Sequence, residues 1–294
     1  MATPVAGSRF AGSGFEVLRG LDVRVRYASA SFAVTEWQCH EHRRSVSTGK
    51  HQPWHVLGFV HGGSFRLDGP RGGGVADASR LIAFRAEEEY ETAHPSCCGD
   101  YGSAIAIAPS FAAEIGEKLS GDGAGDVWRR PLRPLDARLF ARQLELLRRL
   151  RTMPPDGDRL EIEERLFALV SAALTADQPG ALPLSARQRE DVAAAQETLE
   201  QRFAEPLPLH ELARAVGLSP FELCRLFRRG TGSTVHGYRT RLRLAHGLER
   251  LAREPRARLV DLALDLGFDS HSHFTEVFRR SLGRTPSAFR AAAG

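Results

Sequence analysis

The sequence predicts a two-domain α+β protein. A β-rich N-terminal part with flanking helices precedes an all-α C-terminal part that carries two helix-turn-helix units. Three observations predict it. Between about Phe15 and Ala108, short apolar runs alternate with Gly, Pro and Asp breakers, as short strands do. Beyond Ser185 the text reads as helix, turn, helix, repeatedly. Within that last part, one pattern of helix, glycine turn and second helix occurs twice.

The expected strands are "VRVRYASASFAVTEW", "HVLGFVHGGSFRLDG", "RLIAFRA" and "GSAIAIA". Several short strands at this spacing suggest a sandwich or small barrel. Two amphipathic helices follow. "DARLFARQLELLRRLRTM" sets Leu139, Leu144, Leu147 and Leu150 at near-helical spacing, and "DRLEIEERLFALVSAALTAD" repeats the pattern. Asp136 and Asp158 are suitable N-caps, and "PPDG" separates the two helices. Such a pair packs on its own domain or joins two copies in a homodimer. "QPGALPLS" is the linker candidate, with two prolines and a glycine among small residues. The expected division is therefore residues 1–177, a linker at 178–185, and residues 186–294.

The repeat is seen by setting "LHELARAVGLSPFELCRLFRRGTG" against "LVDLALDLGFDSHSHFTEVFRRSLG". The units cover about 208–230 and 259–282. Leu209, Leu212, Ala213 and Val216 form the apolar face of the first short helix; Leu259, Leu262, Ala263 and Leu266 do so in the second copy. Gly217 and Gly267 follow, 50 residues apart, whereas the closing glycines Gly232 and Gly283 are 51 apart. One extra residue thus lies in the second turn. Ser219 caps the second helix of the first unit with Pro220 at its first position, and Asp269 or Ser270 can cap its counterpart. At about 100° per residue, Leu223, Leu226 and Phe227 face the core, as do Phe274, Val277, Phe278 and Leu282. The outward face carries Phe221, Arg225 and Arg228 with Cys224 on its flank; the second copy has Ser272, Glu276 and Arg279 with Thr275 on its flank. A helix-turn-helix presents this face to the DNA major groove.

Between the units, "STVHGYRTRLRLAHGLERLARE" has no proline, can be capped by Ser233 or Thr234, and is stopped at Glu254-Pro255. A helix of this length spans ~30 Å, close to the ~34 Å between successive major-groove faces on one side of B-DNA. Charge agrees. The chain's formal net charge is +4, yet residues 185–294 carry 18 arginines, no lysine and 13 acidic residues, a net of +5. The basic excess sits in the C-terminal part, which suits a polyanionic partner.

From Ala263 to Arg290, "ALDLGFDSHSHFTEVFRRSLGRTPSAFR" resembles the signature of the AraC/XylS transcription regulators nearly position for position. The shared features are Ala263, Gly267-Phe268, Ser272-His273-Phe274, Phe278-Arg279-Arg280, Gly283, Thr285-Pro286 and Phe289-Arg290. "LARAVGLSPFELCRLFRRGTG" is similar to the family's other helix-turn-helix. The resemblance covers roughly the last hundred residues. It implies a sequence-specific regulator of transcription that binds double-stranded promoter or operator DNA, answers to a small-molecule effector and contacts RNA polymerase. It places base contacts on Phe221, Cys224, Arg225, Ser272 and Glu276, with Thr275 beside them and Arg228 and Arg279 on the same faces. Glu276 departs from the basic residue often found there. The upstream region is similar in general form to the family's cupin-like sensing and dimerisation domains, which implies a cupin-like barrel.

Candidate chemistry in the N-terminal part lies in "WQCHEHRR", "GKHQPWHVLGFVHGG" and "HPSCCGDYG". His40-Glu41-His42 starts a cupin metal motif that nothing downstream completes. His51 and His55 have a helical ligand spacing in text that reads as loop into strand. Cys39 and His42 with His94 and Cys98 are mixed pairs of a kind that suits tetrahedral zinc, and adjacent Cys97-Cys98 suits a redox switch. These readings would make the chain a metal-binding enzyme, or a metal or redox sensor, fused to a DNA-binding domain. The expectation here is no catalytic residue, metal or cofactor, with the cysteines as small strand or turn residues. Trp37, Trp54, Phe59, Phe65, Phe84 and Tyr90 either line an effector pocket or belong to the core. No window is long and apolar enough for a membrane span and the first residues lack a signal-peptide pattern, so a cytoplasmic protein is expected. His271 and His273 point ~200° apart on a helix and cannot chelate one ion.

Overall fold

The computed structural model describes residues 21–40, 46–50, 52–94, 99–120, 128–153, 158–175 and 184–291. Nine strands come first: β1 (Leu21–Ala28), β2 (Phe32–Cys39), β3 (Val46–Lys50), β4 (His55–Gly62), β5 (Phe65–Asp68), β6 (Gly74–Ala76), β7 (Arg80–Phe84), β8 (Tyr90–Ala93) and β9 (Tyr101–Ile107). Then come α1 (Pro109–Ser120), β10 (Leu132–Pro134), α2 (Ala137–Thr152) and α3 (Arg159–Thr175). The C-terminal part holds α4 (Ala186–Gln201), α5 (Leu209–Ala215), α6 (Pro220–Thr231), α7 (Val235–Arg253), α8 (Leu259–Asp265), α9 (His271–Leu282) and α10 (Pro286–Ala291). No helix among the described residues is long and apolar enough to cross a membrane.

The strands form two sheets, ordered β1-β2-β9-β4-β7-β10 and β3-β8-β5-β6. This corrects the expected barrel, because neither sheet closes on itself among the described residues. β1 and β10 are opposite edges of the larger sheet and do not pair. β10 is three residues long and ends at Pro134, which has no N–H to offer a further ladder. Edge strand β1 exposes Arg24, a charged residue of the kind that blunts an open edge.

The central strand β4 is buried along nearly its whole length, and its period of two sorts its residues. Leu57 and Phe59 join the large core with the helices, whereas Val56 and Val60 join clusters on the other side. Phe59, Phe65 and Tyr90 are core residues, whereas Trp37, Trp54 and Phe84 pack at its margin and Trp37 also lines an open cleft. α2 and α3 form as expected, with Asp136 accepting from Arg138 N at 3.0 Å and Asp158 from Leu160 N at 3.0 Å. Helix α1 and strands β3, β6, β8 and β10 have no counterpart among the expected runs.

The large core does not stop at the linker. Leu139, Leu144 and Leu147 of α2 share one cluster with Leu244, Leu248 and Leu251 of α7 and with Phe274, Phe278 and Phe289. The first helix-turn-helix has its own cluster, in which Val192, Leu199, Leu212, Leu223, Phe227, Tyr238 and Leu242 meet. That cluster is tied to the sheets by polar contacts. Arg66 of β5 bonds Glu190 at 2.7 Å and also Glu197, both on α4. The Tyr238 hydroxyl donates to Asp77 Oδ2 and accepts from Gln196 Nε2 at 2.7 Å. Burial, with Glu200 nearby, pushes the Asp77 carboxyl up to about 6.

A second buried polar thread runs from β4 to α2. His61 Nε2 lies 3.1 Å from Ser103 Oγ, which accepts from Gln143 Nε2 at 2.5 Å. Burial lowers the His61 pKa to about 3.

Two outcomes are expected. Tyr238→Phe removes the buried partner of Asp77 Oδ2 and of Gln196 Nε2, while Asp77 Oδ1 keeps its bonds from Ser79, and should cost about 1–3 kcal/mol in urea unfolding. The unfolded His61 protonates below about 6.5, whereas the folded one stays neutral until about 3. Its contribution is therefore present above 6.5 and lost as the pH falls. Unfolding free energy should drop between pH 6.5 and 4 by up to ~1.4 kcal/mol per unit for this group, and His61→Gln should flatten that slope.

Candidate nucleic-acid interface

The two helix-turn-helix units repeat down to their hydrogen bonds. In the first turn Gly217 N donates to Arg214 O at 3.1 Å and Leu218 N to Ala213 O at 2.9 Å. In the second, Gly267 N donates to Leu264 O at 2.8 Å and Phe268 N to Ala263 O at 3.0 Å. Both glycines have positive φ, +69° and +77°. At Gly267 a Cβ would also lie 2.1 Å from the Ala204 carbonyl oxygen, so only glycine fits there.

The second helices are capped at both ends. Ser219 and Glu222 form a capping box on α6, with Ser219 Oγ accepting from Glu222 N at 3.3 Å and Ser219 N donating to Glu222 Oε2 at 3.2 Å. The Ser219 bonds, with Arg225 nearby, hold the Glu222 carboxyl below its usual range. On α9 the cap is Ser270, accepting from His273 N at 3.1 Å. Gly232 and Gly283 end the helices in left-handed geometry. Thr234 caps the spacer α7 and Arg253 ends it.

These caps fix which faces point outward. Phe221 is 77% exposed, and Cys224, Arg225 and Arg228 are exposed on the same side of α6. On α9, Ser272, Glu276 and Arg279 are exposed and Thr275 is half-buried. Glu276 accepts from Arg280 at 2.5 Å, one turn along the same helix. Thr275 Oγ1 lies 3.4 Å from His271 Nε2. His273 packs edge-on against Phe268 and lies 3.3 Å from Asp269. The core faces are as expected, except that Leu209 is exposed and Val216, Leu259 and Val277 lie at the core margin.

The N-terminal candidates are sorted differently. His42, Cys97, Cys98, Glu41 and His51 lie outside the described residues. His40 is exposed, 3.0 Å from Asp22, and His55 stacks on Trp128. Cys39 and His94, one from each expected pair, do come together: Sγ to Nε2 is 3.7 Å. A third group joins them that sequence reasoning missed. Asp100 Oδ2 is 2.9 Å from His94 Nε2, and Asp100 has no motif around it beyond the Gly99-Asp100 entry into β9. Asp100 first, then Cys39, raises the His94 pKa to about 9.

Also missed is an open cleft of about 590 Å³ between the larger sheet, the end of α2 and α7. Its lining includes Arg24, Arg26, Trp37, Tyr101, Arg151 and Arg253. Glu36 bonds both Arg26 and Arg151; despite burial, those guanidiniums hold its carboxyl below the usual range. Burial raises the Glu249 carboxyl opposite them. The arginines come from three elements, so no local motif marks them.

Comparison with known proteins bears on the C-terminal part. A helix-turn-helix domain family matches residues 212–292. The chain is 35% identical over 92 residues to the regulatory protein SoxS of Escherichia coli K12, covering 31% of this chain and 85% of SoxS. It is 37% identical over 100 residues to the HTH-type transcriptional regulator GlxA of Rhizobium meliloti, covering 33% of this chain and 30% of GlxA. This chain thus spans under a third of GlxA's length. Apo ToxT from Vibrio cholerae aligns over 90% of this chain and 99% of its own at 12% identity, with a TM-score of 0.40, too low for a shared fold to follow. The residues 212–292 that match the helix-turn-helix family include both turns, both second helices and the spacer α7, and the chain, which covers 85% of SoxS at 35% identity, belongs to the AraC/XylS family of transcription regulators.

Proposed function

We propose that this regulator reads two successive major-groove segments of one duplex with α6 and α9. The observation that carries the reading is the matched pair of capped second helices, each with an exposed face, joined through α7, whose 19 residues span ~30 Å. Phe221, Cys224, Arg225 and Arg228 form the first reading face; Ser272, Thr275, Glu276 and Arg279 form the second. Arginines on phosphates supply most of the affinity, and the base-edge contacts supply selectivity. The Glu276–Arg280 pair suits a role for Glu276 in ordering its own helix, and its remaining oxygen can accept from a cytosine amino group.

The 1–177 part senses, and the cleft beside α7 is where a small-molecule effector binds. Four guanidiniums and the Trp37 and Tyr101 rings suit a ligand with an aromatic body and an anionic group. Occupancy there bears on α7, because Glu249 and Arg253 line the cleft and belong to that helix. Contact with RNA polymerase belongs to the same reading, as does a homodimer, for which α3 offers exposed Leu160 and Phe167. No catalytic role is proposed for any residue, and the chain is taken to act in the cytoplasm.

Arg225→Ala in the full chain should weaken binding to the specific site by ~1–3 kcal/mol and relax the preference at one base position. Unchanged affinity and preference in a fluorescence-anisotropy series would remove Arg225 from the reading face. For the cleft, a panel of aromatic carboxylates should contain a compound that raises the melting temperature of the wild-type chain. Arg151→Gln should abolish that rise; a rise that persists places the ligand elsewhere.

A further inference from the structure

Cys39, His94 and Asp100 come from three separate places in the chain: the last residue of β2, the residue after β8 and the residue before β9. All three are buried. Their donor atoms, Sγ, Nε2 and a carboxylate oxygen, lie within 4.8 Å of one another. Around tetrahedral zinc, with Zn–S ~2.3 Å and Zn–N ~2.0–2.1 Å, a sulfur and a nitrogen ligand stand about 3.5 Å apart. The Sγ–Nε2 separation of 3.7 Å is close to that edge. The Nε2–Oδ2 edge of 2.9 Å is tighter, by an amount that a small rotation of the carboxylate restores. Asp100 Oδ2 is buried, and its close approach to His94 Nε2 is an ion pair whose geometry is not that of a regular hydrogen bond. The two atoms approach without the alignment of donor and acceptor, as two ligands directed at a common point do.

The surroundings hold this arrangement in place. Trp37 Nε1 donates to Asp100 Oδ1 at 3.1 Å, which turns the other carboxylate oxygen toward His94. Cys39 N donates to the Asp100 carbonyl at 2.7 Å, locking the two ligand-bearing segments together. Gly99 has φ +68°, and a Cβ there would lie 2.5 Å from the Cys39 carbonyl oxygen, so the loop reaches Cys39 only because it carries glycine. A partner on the outer carboxylate oxygen and a fixed backbone are what orient ligands in metal sites. Thiolate, imidazole and carboxylate together suit a borderline ion such as zinc rather than magnesium or calcium.

We propose that Cys39 Sγ, His94 Nε2 and Asp100 Oδ2 bind one zinc-class divalent ion and leave a coordination position open to a further donor. Binding releases the Cys39 thiol proton and any proton on His94 Nε2 to solvent, and nothing is oxidised or reduced. This departs from the expectation of no metal. It does not depend on the effector cleft or on the reading faces of α6 and α9.

The full chain, reduced and stripped with a chelator, is to be titrated with Co(II) and followed by absorption. One equivalent should produce a thiolate-to-cobalt charge-transfer band with intense four-coordinate ligand-field bands, and Zn(II) should bleach both. Cys39→Ser should lose the charge-transfer band. Asp100→Asn, which keeps an acceptor for Trp37, should weaken Co(II) binding by more than the ~10- to 100-fold that loss of an outer-shell partner costs, while its circular dichroism stays that of wild type. Absence of the band in the wild-type chain overturns the proposal. So does a band that survives in Cys39→Ser, because another thiol then holds the ion. Tight binding retained by Asp100→Asn removes the third ligand and equally overturns it.

Discussion

Helix α7 is the member on which the rest of the molecule depends, because both large hydrophobic clusters use it. Tyr238 and Leu242, near its start, complete the core of the first helix-turn-helix. Leu244, Leu248 and Leu251, further along, enter the core shared by the sheets, α2 and the second unit. Burial of these side chains at about 25 cal/mol per Å² of apolar surface fixes the helix along its length. One rod thus enters both clusters, and α6 and α9 each pack against it through one of them. The same rod receives Asp77 through Tyr238, and its last turns line the arginine cleft.

Much of the C-terminal part was legible in the sequence because its signals are local. A Ser-Pro start, a Glu three residues after the capping Ser219, and a glycine at each helix end act within a few residues of one another. The outward faces follow from helical periodicity alone. Strand positions were legible for the same reason, since alternation is a local pattern. Sheet closure was not. Whether β1 meets β10 depends on partners more than a hundred residues apart, and Pro134 at a three-residue strand ends the ladder. The Cys39–His94 contact was half legible, as two Cys/His pairs of which one member each came together. Asp100 was hidden because its only link to Cys39 is a backbone hydrogen bond that exists after folding.

Arginine has three different settings here, and its partners separate them. Arg225, Arg228 and Arg279 stand exposed on the outward faces of α6 and α9, the faces proposed to meet DNA. Arg66 and Arg284 tie helices to distant elements through Glu197 and Glu145. Arg239 and Arg243 both donate to the Phe203 carbonyl, at 2.9 and 2.8 Å, closing the turn between α4 and α5 onto α7. A count of basic residues cannot distinguish these settings, and the net charge of +4 for the whole chain does not show that residues 185–294 alone carry +5.

The shared core has a bearing on how such a chain diversifies. The expected linker is residues 178–185, but the apolar core does not divide there, since Phe274, Phe278 and Phe289 sit in the same cluster as Leu57 and Leu139. An exchange of the sensing part for another, joined at the linker, would leave that face of the second unit unmatched unless the incoming part brought its own complement to α7 and α9. Recombination at the linker is therefore constrained by shape. The first unit, with a core of its own, is the freer of the two to be grafted.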